Sequence, residues 1–132
     1  MATTQTVVAV NQLKGPHVGA DLHCYEVVVY VSGTYLTGTK PNFDILAALQ
    51  AQHEGVSAVA VKKAVAWQDY NDGTNVYTAS NAVIALSSTG NKVCTFTVES
   101  GATDGDTGTE VSDSTALAGY FSFLIVTTVT GA

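Results

Sequence analysis

The stretch from Ser114 to Ala132 carries no charged side chain, and it constrains the fold more than any other feature of the sequence. Within it, Gly119 to Thr130 reads as one long strand, because aromatic and β-branched residues dominate and fit a pleated surface rather than a helix. Tyr120, Leu124 and Val126 fall on one face; Phe121, Phe123, Ile125 and Val129 fall on the other. Apolar groups on both faces predict a strand in the middle of a sheet or beneath a partner chain. A membrane span is rejected. Ser114, Thr115, Gly119, Ser122, Thr127, Thr128 and Thr130 make the stretch too polar, and no basic residues flank it.

The surface that must surround such a strand is unusual. Of 132 residues, 12% are charged, about half the usual share. There are 18 Thr and no Arg, so Thr, Ser, Asn, Gln and Gly must cover much of the surface. That suits strands and protein contact better than long solvated helices. The net charge of −6 argues against nucleic acid or an anionic membrane as partner, and the five Lys are dispersed. The length predicts a single domain over residues 1–132, with a Thr-rich N-terminal arm over about residues 1–6. The N-terminus has no basic region and no long apolar core, so no secretory signal is expected. Cys24 and Cys94 are expected to be reduced and buried.

Val7 to Val10 is a short strand candidate, and His23 to Tyr35 is the second strong strand. On it Tyr25, Val27, Val29 and Val31 share the core face. Asn42 is a plausible N-cap for a helix over about residues 43–51, where Ile45, Leu46 and Leu49 make one stripe. Gly55 stops it. From Val56 to Trp67, Val59, Val61, Val65 and Trp67 alternate with Ala58, Ala60, Ala64 and Ala66. That predicts a strand with an Ala-lined face, which lets another element approach closely. Asn71-Asp72-Gly73 is a turn, after which Val76 to Thr78 returns. A further hairpin joins Ala82–Leu86 to Val93–Val98. A three-residue loop there pairs Ile84 with Phe96 and Ala82 with Val98, matching apolar faces. Residues 99–114 hold five of the eleven acids and no base, in a connection longer than ordinary ones. The whole reads as an all-β chain: a β-sandwich or flattened barrel with one short helix.

Few residues carry chemistry. Asp104, Asp106 and Glu110 offer oxygen ligands in a Gly-rich loop, but not in the pattern of an EF-hand. A solvated acidic loop is the favoured reading, and no metal or other cofactor is expected. His23, Cys24 and Cys94 have no metal-ligand spacing. No GxSxG, HExxH, P-loop or dinucleotide fingerprint occurs, so no enzymatic activity is expected. Trp67, Tyr70 and Tyr77 surround one hairpin. They could stack on a sugar in a carbohydrate- or cell-surface-binding module, although such aromatics more often close a core or an interface. The remaining emphasis falls on assembly, with Thr3, Thr4, Thr6 and Val7 as the contact segment, because uncharged strand edges call for a partner.

The Thr3–Thr6 arm, the Tyr25–Tyr35 strand, the short Phe43–Ala51 helix and the Phe121–Val129 strand together resemble the layout of small bacteriophage virion proteins, particularly capsid decoration (cement) proteins. The resemblance implies a non-enzymatic protein on the capsid surface, made in the host cytoplasm. It implies a homo-oligomer, with a trimer favoured, that reinforces contacts between major capsid protein subunits. A tail or neck component is the neighbouring possibility within the same class.

Overall fold

The computed structural model of the chain describes residues 3–14, 22–52, 55–68, 70–71, 76–84, 93–100 and 109–130. In chain order the elements are β1 (Thr4–Lys14), β2 (Leu22–Tyr35), β3 (Asn42–Asp44), α1 (Ile45–Gln52), β4 (Ala58–Gln68), β5 (Tyr70–Asn71), β6 (Val76–Ile84), β7 (Val93–Ser100), β8 (Thr109–Glu110) and β9 (Thr115–Thr130). They form two antiparallel sheets. The first has the order β1-β2-β9-β4; the second runs β3-β7-β6-β5, with β8 also on β7. Among the described residues this is an all-β, sandwich-like fold with one short helix, as expected from the sequence.

The final strand lies inside its sheet, between β2 and β4. Its register with β2 is unbroken from Leu22↔Thr128 to Tyr35↔Thr115. One face is dry: Leu117, Phe121, Phe123 and Ile125 are buried, as are Tyr25, Val27, Val29 and Val31 beside them. The expected place in the middle of a sheet holds, but within this chain the two faces of the strand differ. On the other face Tyr120 is 57% exposed, and Leu124 and Val126 are half-buried. A strand can be central in its sheet while only one face meets the core.

Four rings join the sheets. Phe96 of β7 stands 4.8 Å from Phe123 and 5.8 Å from Phe121, while Phe43 of β3 lies 5.0 Å from Phe123. All are tilted, the arrangement that aromatic quadrupoles favour. Burying each ring stabilises the fold by about 1.5–3 kcal/mol.

The helix starts later than expected. Phe43 and Asp44 pair with Cys94 and Val93 in β3. The cap is Asp44 rather than Asn42: its Oδ1 accepts from the Ala47 amide at 2.9 Å. Ile45, Ala48 and Leu49 are buried, and Leu46 is half-buried. The helix touches β1, β3, β4 and β7. Because β1 and β4 are opposite edges of one sheet, α1 must cross an end of the sandwich. Gly55 follows with φ 88°, a conformation that favours glycine.

Bulges explain the two strands whose patterns mislead. In β4 the register shifts between Val61 and Lys63. Val59 and Val61 therefore point inward before the bulge, whereas Ala64 and Ala66 do so after it, leaving Val65 43% exposed. The Ala-lined face exists only in the second half. There it meets Ala79 and Ala82 of β6 across a cleft of about 450 Å³. In β6 a bulge between Ser80 and Val83 sets two residues against one. Ile84 consequently pairs with Cys94 rather than Phe96, and Ala79 rather than Ala82 pairs with Val98. Val76–Thr78 and Ala82–Ile84 belong to one strand.

Candidate functional site

The features that could engage a partner lie on the first sheet. Its edges are β1 and β4. The N-terminal arm is not loose beyond Thr3: Thr4, Thr6 and Val7 pair with Ser32, Tyr30 and Val29. Thr4 and Thr6 are exposed; Val7 packs on the core, so only its backbone faces the edge. Two bulges interrupt the β1 register, at Val8 and at Leu13. Both bulged residues project, Val8 46% and Leu13 54% exposed. From Thr4 to Leu13 the strand carries no charge.

The opposite edge is built differently. One of the β4 bulges falls at Lys62, and Lys62 and Lys63 are both exposed. Lysines at a bulge deter edge-to-edge pairing, since another chain would have to bury or displace them. β1 has bulges too, but no lysine at either of them.

The outward face of this sheet is apolar for its setting. Tyr30 and Tyr120 are cross-strand partners with ring centroids 4.9 Å apart. Val28, Leu124, Val126 and Val65 continue the face at outward register positions. Glu26 on β2 and Lys63 on β4 flank it on opposite sides of β9. Sequence reasoning placed Tyr120 and Leu124 on one face and left that face to the middle of a sheet or to a partner chain; nothing local distinguishes a covered sheet face from an open one.

A polar cluster joins the end of β2 to β8. Tyr35 at the end of β2 donates its hydroxyl to Glu110 Oε2 at 2.6 Å, and Lys40 pairs with the same oxygen. Tyr35 Oη also accepts from the Val98 amide at 3.4 Å. Hydrogen bonds from Lys40 and Tyr35 hold the Glu110 carboxyl below the usual carboxylate range. Burial, then the bond to Glu110, pushes the Tyr35 hydroxyl up, and Glu110 does the same to Lys40. Asp113 Oδ1 accepts from the Thr37 amide at 2.7 Å, and Ser114 N–H donates to the Tyr35 carbonyl at 2.9 Å. Together these contacts tie β8 and the residues that follow it to the end of β2 and the segment after it. Glu110, expected as a possible cation ligand, is occupied by Lys40 and Tyr35 instead. Asp104 and Asp106 lie outside the described residues. Among those described, no group of three or more His, Cys, Asp or Glu could hold a metal ion.

The aromatic hairpin is partly resolved into its roles. Tyr70 and Tyr77 are register partners of β5 and β6. Tyr77 is 6% exposed and belongs to the core, so it offers no face for stacking on a sugar. The side chains of Trp67 and Tyr70 lie outside the described residues, as do His17, His53 and the turn at Asp72-Gly73. Both cysteines are free. Cys94 is buried in the core, where burial pushes its thiol up to about 12, and Cys24 is half-buried at an outward position of β2. Among the described residues no helix is long and apolar enough to cross a membrane.

No family model, curated protein or solved structure matches this chain.

Proposed function

We propose that this chain is a non-enzymatic structural subunit of a virion, of the capsid decoration type, which attaches to the shell through the β1 edge. The observation that carries the reading is the contrast between the two edges of one sheet. β4 places Lys62 at its bulge, whereas β1 places Val8 and Leu13 there and carries no charge from Thr4 to Leu13. A lysine-free edge fits strand addition by a shell subunit between its bulges, with backbone hydrogen bonds supplying affinity. Each such bond contributes about 0.5–1.5 kcal/mol net, and repetition on a symmetric lattice multiplies the effect. The partner is the major capsid protein or another virion subunit, and the site of action is the particle surface.

The test is co-sedimentation of the purified chain with shells assembled from the major capsid protein. The wild-type chain should pellet with shells. Val8→Lys, at an exposed bulge, should lower the affinity by about tenfold, or about 1.4 kcal/mol, while leaving the circular dichroism spectrum unchanged. Failure of the wild-type chain to pellet, or an unchanged affinity in the variant, would overturn the proposal.

A further inference from the structure

We propose that the outward face of the β1-β2-β9-β4 sheet binds a second copy of this chain, face to face, about a twofold axis that runs along β9. The face has the composition of an interface core. Tyr30 and Tyr120 stand 4.9 Å apart just beyond the stretch of β9 that β4 pairs, and Leu124 and Val65 lie further along the same face, past Val28 and Ser122. Tyr120 at 57% and Val65 at 43% are among the most exposed large apolar side chains described. Exposed apolar patches of this kind mark contact sites, and tyrosine is enriched where contacts are tightest.

The charges select both the occupant and the axis. Glu26 pairs in register with Leu124 from the β2 side; Lys63 pairs with Val126 from the β4 side. The two charges thus flank β9, offset by two residues along it. A twofold axis along β9 exchanges its sides. It carries Glu26 of one copy over β4 of the other, level with Val65 and about 7 Å along the strand from Lys63. Two sheets packed about 10 Å apart leave that offset within reach of a Glu and a Lys side chain. Symmetry makes the pair twice. An axis across the strands would instead set β2 over β2, so that each Glu26 faces the strand that carries the other Glu26. The face is therefore complementary to itself in one orientation, which is the requirement for an isologous pair.

Under this axis β9 faces β9 and β2 faces β4, while β1 overhangs. Three strands about 4.8 Å apart, paired over roughly ten residues, present about 500 Å² per copy, or about 1,000 Å² for two, the lower bound of specific interfaces. This surface is distinct from the β1 edge, and the pairing does not depend on the virion reading.

The experiment needs no shell. Sedimentation equilibrium of the full chain from about 1 to 100 µM should show a monomer–dimer equilibrium, since an interface at this lower bound fits association in the micromolar range. Tyr120→Glu should yield a monomer with an unchanged far-ultraviolet spectrum. Glu26→Lys and Lys63→Glu should each weaken the dimer by tenfold or more. The double exchange should restore it to within a few-fold of wild type, which a merely misfolded variant would not do. A monomeric or trimeric wild type, or a double exchange weaker than both single changes, would overturn the proposal. Loss of dimer with retained shell binding would separate this inference from the function proposed above.

Discussion

Glu110 shows how one carboxylate can look like a ligand in the sequence and act as a brace in the fold. Its folded pKa is lowered by Lys40 and Tyr35, so the folded state binds its proton less tightly than the unfolded state does. The contribution to stability is complete above the ordinary glutamate range. It is lost as pH falls through the lowered folded value. Glu110→Gln should therefore unfold at a lower temperature than wild type near neutral pH, and the gap should close towards about pH 3. Thermal melts at several pH values check this; a gap that stays constant with pH would sink the idea. The exposure of the pair keeps the effect modest. None of this was legible in the sequence, because Tyr35 and Glu110 are 75 positions apart. The acidic run around Glu110 was legible, yet charge spacing alone could not reveal that a lysine and a tyrosine from the end of β2 would reach it.

At the scale of elements, alternation was readable wherever it ran unbroken. β2 keeps strict period two from Tyr25 to Val31, and every predicted core residue there is buried to within 2% of complete. β4 and β6 were harder because each carries a bulge, which adds one residue and exchanges the faces beyond it. The Val/Ala alternation of β4 was real, but its meaning reverses at Lys62. The β6–β7 register was displaced for the same reason, since Asn81 and Ala82 together oppose Phe96. The helix illustrates a smaller error. Asn42 and Asp44 both suit a cap, and only the pairing of β3 with β7 decides for Asp44. Asp44→Ala should cost about 1 kcal/mol, whereas Asn42→Ala should cost much less. Urea denaturation of the two variants compares them directly; equal losses would mean that the cap is not Asp44.

For the whole molecule, the arrangement of strands matters more than any one of them. β9 is the shared neighbour of β2 and β4, and its Phe121 and Phe123 meet Phe96 of the opposite sheet. Removing residues 115–130 takes out the middle of one sheet and half of the ring cluster. The truncated chain should lack cooperative unfolding and show poor dispersion in its amide spectrum. A truncated chain that still melted cooperatively would show that the remaining strands suffice. The sequence pointed to β9 as the organising strand but could not show which strands flank it, because pairing between segments about 90 residues apart leaves no local trace.

The position of β9 also sets an order of events during synthesis. Both of its neighbours leave the ribosome before it does, β2 by the length of most of the chain and β4 by that of β5 to β8. Until β9 arrives, β2 and β4 lack the strand that both of them pair with, and the first sheet is incomplete. On a crowded polysome that strand can come from the same chain or from a neighbour that finished earlier. The closing step of folding is thus also the step at which two chains can exchange strands.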